Sequence, residues 1–327
     1  MAIREKELAG LPSGSDLPRG RLPALLDRLI GPFRRGVPPQ PQPATGFYTD
    51  TTVCIGCKAC EVACKQWNQL PADGFHWSGN SYDNTGELSA TSWRHVKFVE
   101  QFPEGESRGE GRGASEGRLS LPLVSSPSPH APHPSPLNKN RWLMMSDVCK
   151  HCQHAPCVEV CPTGALIYNE FGNVYVQQDV CNGCANCVVG CPFGVIARNK
   201  EDGRAHKCTL CYDRQKDGLT PACAKSCPTE SIKFGKISEL REHARKRIED
   251  LHARGETDAY LYGADPAGEY SALNSFFLLK DRASVYNLPE APRRPAAHLK
   301  RNYLFSFATS LALTAVSALL FSGGRRG

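Results

Sequence analysis

Cys181-Asn182-Gly183-Cys184-Ala185-Asn186-Cys187-Val188-Val189-Gly190-Cys191-Pro192 is the stretch that decides the fold. Three thiols at steps of three residues can wrap one face of a compact metal centre. The fourth, followed at once by proline, is set apart and points elsewhere. This spacing is the pattern of iron–sulfur ligation. Zinc is the bland alternative, but a structural zinc site takes four ligands in tetrahedral geometry, usually as two separated Cys-x-x-Cys pairs. Four cysteines crowded into one short run fit that poorly.

Working outward, the grouping recurs. Upstream stand Cys54-x-x-Cys57-x-x-Cys60-x-x-x-Cys64, where Lys65 replaces the proline, and Cys149-x-x-Cys152-x4-Cys157-x-x-x-Cys161-Pro162; downstream stands Cys208-x-x-Cys211-x11-Cys223-x-x-x-Cys227-Pro228. The chain of 327 residues has 16 cysteines, and these four groups use all of them. Disulfide frameworks belong mainly to small secreted domains, whereas tight groups of four are metal-site arithmetic. If every group is filled, the chain carries four [4Fe–4S] clusters. Such clusters are themselves anionic, so the formal charge of +6 overstates the true balance. No interleaving of aromatic and basic residues points to nucleic acid. No Gly-x-Gly-x-x-Gly or Walker loop is present for a nucleotide. With all thiols assigned as ligands, no spare nucleophile remains. The chain reads as an electron wire, not as an enzyme on its own; the alternative from another class is a structural zinc-binding adaptor.

Residues 1–45 are rich in proline, glycine and arginine and read as a flexible N-terminal arm, with a short amphipathic helix at Leu22 to Phe33. Arg34-Arg35 resembles an export signal only superficially, because Gly36-Val37-Pro38-Pro39 follows instead of an apolar segment. Strands are expected at Gly46 to Tyr48, Trp93 to Val99, Arg141 to Met145, Val195 to Ala197 and Ser231 to Phe234, with a hairpin over Ala165 to Tyr168 and Val174 to Val176. Residues 103–140, dominated by Glu, Gly, Ser, Arg and Pro, read as a disordered insertion whose His130 and His133 are solvated. His151 and His154 lie among cysteines that already complete a ligand set, so they are expected beside that set or in solvent. Asp50, Asp147 and Asp179 precede the first three groups and are expected to cap the turns entering them. Ile237 to Arg254 reads as a charged helix capped by Ser238 and stopped by Gly255. Residues 256–300 read as an arm packed on the domain or on a partner.

Leu304 to Phe321 carries no charge and spans about 27 Å as a helix, close to a hydrocarbon core roughly 30 Å thick. Ser306, Ser310, Thr314, Ala318 and Ser322 place small side chains on one stripe, which suits close packing against a second membrane helix.

The cysteine groups, in this order and spacing, resemble those of bacterial ferredoxins and of the iron–sulfur subunits of molybdenum or tungsten bis-pterin oxidoreductases. Gly46-Phe47-Tyr48-x-Asp50, Cys54-Ile55-Gly56-Cys57-Lys58-Ala59-Cys60-Glu61, Trp67-Asn68 and Val285-Tyr286-Asn287-Leu288-Pro289-Glu290-x-Pro292 resemble the β subunit of formate dehydrogenases. The resemblance covers about 46–102 and 141–322. It implies an α+β chain of two interlocked ferredoxin-like dicluster domains with a single C-terminal transmembrane helix. One domain is 46–102 with 200–236, the other 141–199; 237–301 is a helix and partner-packing arm, and 302–322 is the membrane helix. It also implies exchange of the fourth cysteine. One cluster takes Cys54, Cys57, Cys60 and Cys227, and its neighbour takes Cys208, Cys211, Cys223 and Cys64. A third takes Cys149, Cys152, Cys157 and Cys191, and the fourth takes Cys181, Cys184, Cys187 and Cys161.

By the same resemblance the chain passes electrons from a metal–pterin catalytic subunit that oxidises formate to a membrane cytochrome b or quinone-reducing partner. Hydrogenase, polysulfide reductase and dimethyl-sulfoxide-type reductase complexes are alternatives in the same class. Arg293, Arg294, Lys300 and Arg301 before the span outnumber Arg325 and Arg326 after it, which favours a cytoplasmic body. That rule carries little weight for a large folded domain, and the resemblance implies an extracytoplasmic, membrane-anchored one.

Overall fold

The structure is a computed structural model, and it describes residues 43–72, 74, 82–102, 140–265, 272–294, 297 and 299–323. Leu22 to Phe33, Arg34-Arg35, the 103–139 tract with His130 and His133, Tyr270, Pro295, Arg325, Arg326 and the side chains of Lys300 and Ser322 lie outside the described residues.

The chain is mixed in content. In order it forms β1 (Thr45–Asp50), α1 (Ala59–Trp67), β2 (Arg94–Gln101), β3 (Arg141–Val148), α2 (Pro156–Glu159), β4 (Leu166–Tyr168), β5 (Val174–Val176) and α3 (Asn186–Gly190). There follow β6 (Ala197–Arg198), β7 (Ala205–His206), α4 (Tyr212–Lys216), α5 (Ala222–Lys225), β8 (Ile232–Lys236), α6 (Ile237–Ala253), β9 (Tyr260–Tyr262), β10 (Ser275–Leu279) and α7 (Leu299–Gly323).

The largest sheet runs β8-β1-β10-β9. β1 pairs antiparallel with β8 and parallel with β10. The 256–300 segment, expected as an arm, therefore supplies two strands of this sheet. The sequence hides them because β10, Ser-Phe-Phe-Leu-Leu, is buried at every position and shows no alternation, as a strand covered on both faces must. Its period-two geometry survives in the packing. Tyr48, Phe276 and Leu278 face Ile237, Leu240, Ala244 and Leu251 of α6, whereas Phe277 and Leu279 face a core that contains Cys152, Cys157, Cys161 and Cys187. Phe47 faces a second core with Cys60, Cys149, Cys208 and Cys223. Each buried Phe contributes about 1.5–3 kcal/mol to holding this sheet against those cores.

α6 begins differently from expectation. Its N-cap is Lys236, with no side-chain cap, because strand β8 runs straight into the helix. The Ile237 amide is satisfied instead by the Ala44 carbonyl at 2.9 Å. At the other end Gly255, with φ of 87°, takes the left-handed turn that stops the helix.

β2 and β3 form an antiparallel pair from Arg94 opposite Val148 to Gln101 opposite Arg141. The 103–140 tract thus joins two strand ends that already face one another. In the first cysteine group the absence of proline after Cys64 lets α1 continue through it to Trp67, whereas the shorter α2, α3 and α5 stop at or before Cys161, Cys191 and Cys227. α7 has 25 residues, and its Arg301–Phe321 portion is long and apolar enough to cross a membrane by length and composition. Ser310 and Thr314 donate their hydroxyls to the Ser306 and Ser310 carbonyls, both at 2.8 Å, so neither needs an outside acceptor.

Candidate metal centres

Each cysteine group enters its loop the same way. The residue just before the second cysteine has a positive φ in all four: Gly56 at 67°, His151 at 42°, Gly183 at 72° and Leu210 at 57°. Two of these are not glycine, so surrounding structure must hold them in a conformation that costs about 1–2 kcal/mol. Such a left-handed step turns successive backbone N–H groups toward one point, the nest found around anions and iron–sulfur centres. In the fourth group the Leu210 amide donates to Cys208 Sγ at 3.3 Å.

Folding regroups the thiols. One cavity is lined by Cys149, Cys152, Cys157 and Cys191. A second is lined by Cys54, Cys57, Cys60 and Cys227. The Cys64 thiol has Cys208, Cys223 and Cys211 as its electrostatic neighbours, and Cys187 has Cys161, Cys181 and Cys184. Among the described residues, no three His, Cys, Asp or Glu side chains close on a single-ion site. Two of the four sets line a shared cavity, as the ligands of a multi-atom cluster would.

The four sets also follow one another in space. Cys187 acts on Cys157, Cys149 on Cys208, and Cys223 on Cys60. The set with Cys181 is therefore next to the set with Cys149, that set next to the one with Cys208, and that one next to the set with Cys54. Cys184 and Cys57, in the two outer sets, are exposed, whereas Cys64, Cys208, Cys211 and Cys223 are all buried.

Burial dominates the thiols. It pushes Cys208 and Cys60 up to about 12 and raises Cys152 and Cys157 well above the ordinary thiol range. Without a metal these sulfurs keep their protons; a bound cation deprotonates them. Cys161 runs the other way: amides of Leu166 and Ala165 and the Thr163 hydroxyl outweigh burial and lower it.

Three buried cations accompany the sulfurs, and sequence reasoning missed them. Lys150, 0% exposed, is paired with Asp147 and donates to the Val148 carbonyl at 2.8 Å. Lys207 donates to the Val174 and Cys208 carbonyls at 2.6 and 2.9 Å. Arg94 lies among Cys223, Cys60, Cys208 and Cys64; burial opposes its charge, and the sulfurs favour it once a bound metal has deprotonated them. The available signal was adjacency: Lys150 follows Cys149, Lys207 precedes Cys208, and Arg94 pairs across from Val148. His151 is buried, lines the cavity with Cys149, and is driven neutral by burial. His154 lies near Arg294, and burial and that charge lower it. Asp50 caps its turn, accepting from the Thr52 amide at 2.9 Å, and also pairs with Arg247. Asp147 is instead buried between Lys150 and Lys97. Asp179 lies in the turn before Cys181.

Fold and sulfur geometry define an iron–sulfur electron-transfer protein with two dicluster domains. Two family models described as 4Fe-4S dicluster domain match residues 53–165 and 140–237. The chain is 36% identical over 245 residues to the nitrate-inducible formate dehydrogenase iron-sulfur subunit of Escherichia coli, covering 75% of this chain and 72% of that one. It is 36% identical over 248 residues to the formate dehydrogenase iron-sulfur subunit of Haemophilus influenzae, covering 75% and 68%. Against a subunit of the anaerobic dimethyl sulfoxide reductase of Escherichia coli the identity is 31% over 198 residues, 60% of this chain and 76% of that one. This protein belongs to the family of formate dehydrogenase iron–sulfur subunits, which transfer electrons and are not themselves catalytic. Its two dicluster domains and 16 cysteines fit four [4Fe–4S] clusters.

Proposed function

We propose that the chain is the electron-transfer subunit of a membrane-bound formate dehydrogenase, joining a metal–pterin catalytic subunit to a cytochrome b-type membrane partner. The observation that carries this is the regrouping of the thiols: each fourth cysteine lies with three cysteines of another sequence group. We assign the ligands accordingly, as Cys54, Cys57, Cys60, Cys227; Cys208, Cys211, Cys223, Cys64; Cys149, Cys152, Cys157, Cys191; and Cys181, Cys184, Cys187, Cys161. This exchange ties cysteine groups one and four into one ferredoxin-like domain, 46–102 with 200–236, and groups two and three into the other, 141–199; the two interlock because the second is inserted between the halves of the first. Bound there, the clusters would carry single electrons between the two outer sets. The protein's part is to hold the sulfurs, bury the inner sets from water and leave Cys57 and Cys184 near the surface as the two contacts.

The direction of the wire follows from the C-terminal segment. Arg294 pairs with Glu159 of α2 at 3.2 Å, between Cys157 and Cys161. The membrane helix begins at Leu299, so the set with Cys184 is the membrane end and the set with Cys57 meets the catalytic subunit. The body is extracytoplasmic, as the family resemblance implies, with 302–322 in the bilayer. The dimethyl-sulfoxide-type reading is the second choice, since that relative matches 60% of the chain against 75% for the formate relatives. Adding formate to the isolated complex under anaerobic conditions should bleach the visible absorption of this subunit. Bleaching by another donor or acceptor pair, with none from formate, contradicts the assignment.

A further inference from the structure

Arg94 is only 2% exposed. Its Nη1 donates to Ser146 Oγ at 3.0 Å, and its guanidinium carbon lies 4.7 Å from the centre of the Phe47 ring. Nε and Nη2 are buried and meet no acceptor among the described residues. A buried guanidinium with two idle donors is costly and rare. Lys150 and Lys207, by contrast, spend their donors on Asp147 and on backbone carbonyls. The groups around Arg94 are sulfurs from two sets: Cys60 from the outer one, and Cys64, Cys208 and Cys223 from its inner neighbour. Ser146 Oγ also lies 3.2 Å from Cys60 Sγ.

We propose that Arg94 sets the reduction potentials of these two clusters, its Nε–H and Nη2–H donated to their sulfur atoms and its charge shared between them. The proposal rests on the four-cluster reading. Reduction adds one negative charge to a cluster, and a fixed positive charge in a low-dielectric site favours that state. Hydrogen bonds to sulfur act in the same direction. One arginine between two centres raises both potentials together, keeping the pair matched for transfer in either direction.

The test is a redox titration of the isolated complex followed by paramagnetic resonance, comparing wild type with Arg94→Gln and Arg94→Lys. In Arg94→Gln two of the four cluster signals should move to lower potential while the other two stay, at unchanged iron content. Arg94→Lys keeps the charge without the fork of donors and should move them less. Four unmoved potentials at full iron content overturn the proposal, and so does an equal shift of all four, which general loosening would give. If both variants lose iron, the wild type decides. Grown on isotopically labelled arginine and reduced, it should show nitrogen hyperfine coupling on two cluster signals; no coupling overturns the proposal. A wild type without iron would instead fail the four-cluster reading itself.

Discussion

Cys191 and Cys149 line the same cavity, although Cys191 belongs to the third cysteine group and Cys149 to the second. Pro192 holds Cys191 in an extended conformation at the end of α3. Cys191→Ser should therefore damage the cluster held by Cys149, Cys152 and Cys157 and spare the one held by its own sequence neighbours. Paramagnetic resonance of the reduced variant distinguishes them; loss confined to the Cys181–Cys187 cluster contradicts the exchange.

Gln101 and Arg141 face each other at the end of the β2–β3 ladder, and Arg141 Nε donates to Gln101 Oε1 at 2.5 Å. Asp281 ties both side chains down. The strand pair is thus closed at the point where the 103–140 tract leaves it. Replacing most of that tract with a short flexible turn should keep all four clusters and change stability by no more than about 2 kcal/mol, since loop-closure entropy varies slowly with length. Iron analysis and thermal melting check this; iron loss or failure to bind the catalytic partner would show the tract to be structural or a docking arm.

His95 is buried between Asp83 and Glu61. Burial opposes its charge, but the two carboxylates prevail and push it up to about 9. Its unfolded value is about 6.5, so the folded state is the tighter proton binder. The stabilisation is fully present below about pH 6.5, amounts to roughly 3 kcal/mol, and fades as pH rises toward 9. His95→Gln should melt well below the wild type at pH 6 and close to it at pH 10. A gap that widens with rising pH contradicts this sign.

Ser310 and Thr314 satisfy their hydroxyls within α7, so leucine at both positions removes no bond the helix lacks elsewhere. It does add bulk to the small-residue stripe. The double variant should stay in the membrane fraction but separate from its membrane partner on mild detergent extraction. Co-purification at wild-type yield would mean the packing face lies elsewhere on the helix.

Much of this molecule is legible in its sequence, and what is not has physical causes. The four cysteine groups announce themselves by spacing, the β4–β5 hairpin by two short apolar runs, and α6 by its charge and its stop at Gly255. β10 stays hidden because a strand buried on both faces has no alternation to read. Ser238 looks like a cap, yet the backbone of Ala44 supplies the acceptor, a contact that only the fold creates. Arg94, Lys150 and Lys207 look like solvated charges, since a charged side chain is ordinarily outside. For Arg94 the nearby sulfurs reverse that expectation; for Lys150 and Lys207 it is Asp147 and backbone carbonyls, which the fold brings to them.

The most direct measurement is the metal content of the anaerobically purified chain. Four thiolate-bound cubane clusters require on the order of sixteen iron atoms per chain and no stoichiometric zinc. One or two zinc ions with little iron would contradict the wire and restore the structural adaptor.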